Sequence, residues 1–248
     1  MKSDPAVEFG REAEKYLSSA VHSDATTLAA LVDLVSPNGG WIADVGTGAG
    51  HLAFAFAKRV NRVSACDVTP EVLDVVLRES ASRGLNNIDV VQCRAEQLVF
   101  DDESLDGLGC RIAAHHFDDV GAFLRESYRV LKPEGWFLLV DTVSPEDDEA
   151  ALRLNHFETL RDPSHRKNLK VSEWEQAVQL AGFTVEKLVH GIKRLDFDDW
   201  VARMSVPMAK VHEIRDFMQE SNPTLGSYFE FDGQSFNLHD VTLLATKP

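Results

Sequence analysis

Along the middle of the chain, short apolar runs alternate with stretches whose apolar residues recur every three or four positions. The runs read as buried strands and the stretches as amphipathic helices. Trp41–Val45 is the first strand and ends at glycines. Over residues 51–60, Leu52, Ala53, Phe56, Ala57 and Val60 share one helical side. Residues 62–68 form a second strand. Thr69-Pro70 then opens a helix, because Thr suits the N-cap and Pro the first turn, where an N–H is not needed. That helix runs to about Arg83 and stops at Gly84. Residues 88–93, 105–111 and 135–143 read as the third, fourth and fifth strands, with a helix over 118–131 that ends before Pro133.

A second unit follows. Ser172-Glu173-Trp174-Glu175 has the S-x-x-E pattern of a capping box and predicts a helix that ends at Gly182. Residues 183–191 and 239–247 are the last two strands. Two segments interrupt the alternation. Residues 144–171 are a partly helical connection. Residues 193–238 are long for a strand connection and carry helical stretches over 198–204 and 208–221. Added segments of this kind commonly carry binding and lid functions. The alternation itself implies an α/β fold, a doubly wound, mostly parallel sheet with helices on both faces.

The glycines after the first strand change the picture from fold to ligand. Residues 44–50 read Asp-Val-Gly-Thr-Gly-Ala-Gly, between a strand and a helix. Glycines let a ligand approach the backbone, and the helix start offers free N–H groups. The spacing is G-x-G-x-G rather than the G-x-G-x-x-G of dinucleotide enzymes, which would need a glycine where His51 stands. Asp44 ends the strand just before the loop. An anion there disfavours a pyrophosphate and favours a cationic group, such as the amino end of a methionine moiety. Asp67 ends the second strand, where a carboxylate can accept from both hydroxyls of a ribose. The alternative for Asp67 is an anion at a helix N-terminus, since Thr69-Pro70 follows directly.

The loop, Asp67, Arg94-Ala95-Glu96 and Leu131-Lys132-Pro133-Glu134-Gly135 together resemble the UbiE-type group of class I S-adenosylmethionine-dependent methyltransferases. The similarity is good over residues 9–143 and general beyond. It implies a Rossmann-like, seven-stranded sheet with the last strand antiparallel. It also implies one methyltransferase domain over 1–248, with a helical cap (1–35), a cofactor-binding core (36–143) and a C-terminal half (144–248) carrying lid segments 144–171 and 193–238. S-adenosylmethionine is the implied cofactor. Gly46, Gly48 and Gly50 would line its methionine part, Asp67 would hold its ribose, and Ala95 and Glu96 would border its adenine; Asp44, Thr47 and Val68 are also expected to bind the cofactor. Arg111 would sit by the methionine end. Tyr16, in a pattern with Phe9 and Ala13, would close over the cofactor, or else belong to a plain helix face.

Methyl transfer needs alignment and exclusion of water, and a base only where the acceptor must lose a proton. His115 and His116 follow the fourth strand, at the implied mouth of the site, and either can titrate near neutral pH. Asp141, near the end of the fifth strand, is a second candidate. His156 and His165 read as structural or solvent-facing. Quinone-methylating members carry Arg-Asn after the fourth strand; here Ile112-Ala113-Ala114 follow Arg111, so a quinone acceptor is not implied. The pattern is closer to bacterial relatives with a His-His-Phe segment. A small-molecule acceptor is expected, with its specificity in the N-terminal helix and the two added segments. The competing readings are a nicotinamide-dependent oxidoreductase and a non-catalytic S-adenosylmethionine-binding protein.

Composition narrows the partners. The 25 Lys and Arg against 40 Asp and Glu give a formal charge of −15, which argues against binding a nucleic-acid backbone. No apolar run is long enough to span a bilayer. Residues 1–5 show no signal-peptide stretch, so a cytoplasmic protein is expected. A monomer or homodimer is expected. Cys66, Cys93 and Cys110 lack metal-ligand spacing and read as small buried residues; no metal is expected.

Overall fold

The computed structural model describes residues 24–219 and 223–248. Tyr16, with Phe9 and Ala13, lies outside the described residues.

The alternating apolar runs form a seven-stranded sheet: β1 (Trp41–Val45), β2 (Arg62–Asp67), β3 (Ile88–Gln92), β4 (Leu105–Arg111), β5 (Leu131–Thr142), β6 (Thr184–Asp196) and β7 (Ser235–Thr246), in the order β3-β2-β1-β4-β5-β7-β6. Pairings among β1 to β5 are parallel. β7, last in sequence, runs antiparallel to both β5 and β6. The strand order reverses between β1 and β4, and a doubly wound sheet opens its ligand crevice at the carboxyl ends of the strands there. Asp44, Asp67, Arg111 and Asp141 all sit at or next to those ends.

Alternation along each strand builds the two core layers. On β5, Phe137 and Leu139 join one layer, while Leu138 and Val140 join the other. The first layer is closed by α4 (Val120–Val130) through Phe123 and Leu124, and by α6 (Val171–Leu180) through Trp174 and Val178. The second is closed by α1 (Ala25–Val35), α2 (His51–Phe56) and α3 (Pro70–Ser82). A third cluster stands apart from both. It joins α5 (Asp148–Arg161) to α7 (Phe197–Ala202), α8 (Met208–Gln219) and α9 (Pro223–Phe229). Phe157 is stacked on Trp200 and Phe217 at its centre.

Several elements differ from the reading of the sequence. β6 continues to Asp196 and β7 begins at Ser235. The two strands hold each other in register beyond the sheet's edge, pairing Asp196 with Ser235. The segment between them is therefore 197–234, shorter than 193–238, and its short helix α9 had no clear sequence signal. The capping box is shifted. Lys170 is the N-cap, and its backbone N–H donates to the Glu173 carboxylate. Ser172 is already inside the helix and bonds Glu146 instead. Thr69 does cap α3, but without a side-chain bond; its backbone N–H is held by Asp67.

Candidate functional site

The loop between β1 and α2 is drawn tight from inside. Asp44 is 1% exposed, and its Oδ2 accepts from the Thr47 hydroxyl at 2.7 Å and the Ala53 N–H at 3.0 Å. One carboxylate thus braces both the loop and the start of α2. Burial raises the Asp44 carboxyl to about 6, against the pull of these bonds and of the Arg111 charge. The Thr47 N–H donates to Cys66 O at 2.9 Å, which ties the loop to β2.

Two glycines have distinct reasons to be glycine. Gly46 has φ +68°, and a Cβ there would lie 2.5 Å from the Ala113 Cβ. Gly48 has φ +52°, and a Cβ there would meet nothing within 4 Å among the described residues. The loop is therefore packed at Gly46 against the segment after β4, and open at Gly48. Asp67 closes the other side. Its Oδ2 accepts from the Gly48 N–H at 3.1 Å and its Oδ1 from the Thr69 N–H at 3.0 Å. Burial raises the Asp67 carboxyl, while these backbone donors oppose the rise. Asp67 is thus both a helix-start anion and a wall of the open loop. Each oxygen keeps acceptor capacity for a further donor.

The remaining residues singled out in the sequence lie at or beyond the carboxyl ends of β2, β3 and β4. The carbonyl of Val68 accepts from Gln92. Ala95 is buried in a turn bridged by Arg94 and Gln97. Glu96 turns toward the start of α4, where its Oε1 accepts from the Asp118 N–H at 2.8 Å. Arg111 ends β4, largely buried. Burial lowers its pKa, against the attraction of Asp44 and Asp240.

Beyond β4 the chain turns sharply at Ile112, with φ +54°, into a short 3-10 turn over Ala114–His116. Asp141, at the end of β5, grips that turn twice. Its Oδ2 accepts from the His115 backbone N–H at 2.9 Å, and its Oδ1 lies 2.6 Å from His115 Nδ1. A carboxylate on Nδ1 fixes the tautomer that leaves Nε2 as the basic nitrogen. Burial works against the His115 imidazolium, but the charge and hydrogen bond of Asp141 outweigh it and raise the group above its usual range. His116 behaves oppositely. Burial and the neighbouring His115 push it down to about 3. Its Nδ1 is 3.1 Å from the Ser164 hydroxyl, and its ring centre 4.1 Å from that of His115.

The segment after α5 completes this side. The N–H groups of Arg166 and Lys167 donate to the His115 carbonyl. Asp162 accepts from the Ser164 N–H and hydroxyl. His165 bonds Asn155 and lies 5.7 Å from His115, ring centre to ring centre. Of the two readings open for His165, structural or solvent-facing, its burial and bond to Asn155 select the first, while Glu158, Ser164 and Asn168 have no place in the sequence reading. Glu158 gives no signal in the sequence, where a lone carboxylate on this mixed helix reads as solvent-facing. The apolar residues of the added segments divide between core and surface. Phe157, Leu160, Trp200 and Met218 fill the third core, Phe217 packs against it, and Met208 is exposed. The cavity of about 340 Å³ lined by Asn38, Asp106 and Lys132 opens at the opposite, amino-terminal ends of the strands, away from all these groups.

Among the described residues, no helix is long and apolar enough to cross a membrane. The family model of the methyltransferase domain matches residues 43–139. The chain is 36% identical over 210 residues to the uncharacterized methyltransferase YcgJ of Bacillus subtilis, covering 83% of this chain and 82% of YcgJ. A crystal structure of a candidate methyltransferase from Bacillus halodurans C-125 superposes with a TM-score of 0.86 at 37% identity, covering 90% of this chain and 100% of that one. The ubiquinone/menaquinone biosynthesis C-methyltransferase UbiE of Nitrobacter hamburgensis is 33% identical, over 102 residues and 40% of each chain. With a matching relative over most of its length and a sheet of the same architecture, the chain belongs to the class I S-adenosylmethionine-dependent methyltransferases.

Proposed function

We propose that the enzyme methylates a small-molecule acceptor that must give up a proton, with His115 as its base and Asp141 holding that base. The observation that carries this reading is the double grip of Asp141 on His115, through both its Nδ1 and its backbone N–H. Nε2 makes no hydrogen bond among the described residues. The 3-10 turn that carries His115 packs, through Ala113, against the same glycine whose loop bounds the cofactor side. A base bonded to an orienting carboxylate, beside a cofactor loop, is the arrangement general-base catalysis requires.

The cofactor side fits S-adenosylmethionine. When bound, the cofactor supplies a methyl group on a sulfonium. The open space at Gly48 admits a ligand against the backbone, and Asp67 offers acceptor positions for ribose hydroxyls. Thr47, Gly50 and the Asp44 brace keep the loop in shape, with Val68 and Ala95 as neighbouring walls. Glu96 supports the wall from behind, and Arg111 balances Asp44. Asp67→Ala is expected to weaken S-adenosylhomocysteine binding by about 1–3 kcal/mol, as a charged acceptor is lost. Calorimetry checks this; an unchanged affinity with a large fall in thermal midpoint would leave Asp67 only its helix-start role.

The acceptor side falls to the segment after α5, which bonds the His115 turn directly, with 197–219 and 223–229 forming the third core behind it. A screen of small acceptors for S-adenosylhomocysteine release, run on the wild type and His115→Gln, tests the whole reading. Release by the wild type but not the variant, with equal cofactor affinity, supports it. Equal release by both refutes the base.

A further inference from the structure

Three carboxylates act on His115, and two of them are hydrogen-bonded. Asp141 is committed to His115 through both oxygens. Asp162 accepts from Ser164 at Oδ1, and its Oδ2 lies 3.8 Å from His116 Nε2. The third, Glu158, is only 6% exposed, yet its carboxylate makes no hydrogen bond among the described residues. Its oxygens are not among the fully enclosed unpartnered atoms, so they face space rather than packed protein. The charged groups that act on it are Arg161, His115 and Asp162. Arg161 is turned away, with Nε on the Trp200 carbonyl at 3.2 Å and its guanidinium over the Trp200 ring. Tyr228, which also feels Glu158, donates its hydroxyl to Val143 O.

Buried carboxylates are normally satisfied, and leaving one unpaired costs stability. A polar ligand that enters the space at the Glu158 oxygens, beside His115, would complete it.

We propose that Glu158 recognises the acceptor, and that the acceptor is a small amine whose nitrogen carries at least two N–H bonds. This rests on His115 being the base. The amine binds as its ammonium ion, and one N–H donates to Glu158. A second N–H gives its proton to His115 Nε2. The freed lone pair forms the new N–C bond, and the electron pair of the broken C–S bond stays on sulfur. The proton then leaves His115 for solvent. A cation beside a desolvated carboxylate is bound far more strongly than a neutral group, and an anion is repelled.

The test uses protein loaded with S-adenosylhomocysteine and three probes of one size: ethanolamine, ethylene glycol and glycolate, titrated through the millimolar range by saturation-transfer NMR. The wild type is expected to prefer ethanolamine over glycolate by roughly tenfold or more. Glu158→Gln, which keeps the volume, is expected to lose that preference, keep its S-adenosylhomocysteine affinity and melt at a higher temperature, because an unpaired buried charge has gone. Equal binding of ethanolamine and glycolate, no ethanolamine binding, or unchanged ethanolamine binding by Glu158→Gln would each overturn the proposal. His115→Gln separates the two readings. It should keep the preference for ethanolamine over glycolate, because Glu158 remains, so lost turnover with that preference retained concerns the base alone.

Discussion

Replacing His115 by glutamine is expected to lower kcat by about 10²–10⁴-fold, the usual contribution of a positioned base, while leaving S-adenosylhomocysteine affinity within twofold. The separation follows from geometry. His115 is bonded to Asp141 and to the segment after α5, whereas the open backbone of the cofactor loop is bounded by Gly48 and Asp67. The pH profile adds a second signature. The base works only when unprotonated, and Asp141 raises the pKa of His115 above its ordinary value. Activity should therefore fall as pH drops through a value above about 6.5, the unperturbed imidazole figure. Asp141→Asn removes the largest charge that opposes burial, leaving only Glu158 and Asp162 to do so. The limb should then move to lower pH while the plateau falls, because the ring also loses its orienting acceptor. A limb that stays in place in Asp141→Asn would remove His115 from the titration.

Gly46→Ala should damage both folding and cofactor binding. A residue with a side chain at φ +68° carries left-handed strain of about 1–2 kcal/mol. The new Cβ would also stand 2.5 Å from the Ala113 Cβ, with the Phe117 ring at 3.7 Å behind it. Forcing a methyl into such a contact costs about 1–3 kcal/mol. Relief requires the loop to move away from the His115 turn, which withdraws the Gly48 backbone from its position beside Asp67. Gly48→Ala is the control. Its Cβ meets open space, so the fold should bear only the strain, while the methyl occupies the ligand's place. The two variants should thus differ in thermal midpoint and agree in lost S-adenosylhomocysteine affinity. Equal midpoints would mean that the Gly46 contact relaxes freely.

The difference between these residues also shows what was legible in the chain. Glycines, Asp44 and Asp67 are readable because backbone conformation and strand ends impose local rules: a tight loop needs positive φ, and a strand end needs a terminator. β-α-β alternation carries the sheet for the same reason, since each core layer is written in period two. The Asp141–His115 pair is not local. It joins two strands 26 positions apart, and both residues had weaker local explanations until the parallel register of β4 and β5 brought them together. Glu158 was hidden differently. It sits on α5 among residues that pack into a third core, and a lone carboxylate on a mixed helix reads as solvent-facing until its burial is seen. The shifted cap of α6 and the longer β6 reflect tertiary pairing, with Glu173, Glu146 and β7 each fixing a boundary that propensity leaves open.

The central claim is a division of labour: the loop and Asp67 hold the cofactor, and the β4–β5 ends with the segment after α5 handle the acceptor. Calorimetry with S-adenosylhomocysteine on four proteins tests it most directly. The wild type and His115→Gln should each bind one equivalent per chain with matching affinity, while Asp67→Ala and Gly48→Ala bind at least several-fold more weakly. Loss of binding in His115→Gln, or full binding in both Asp67→Ala and Gly48→Ala, would contradict it.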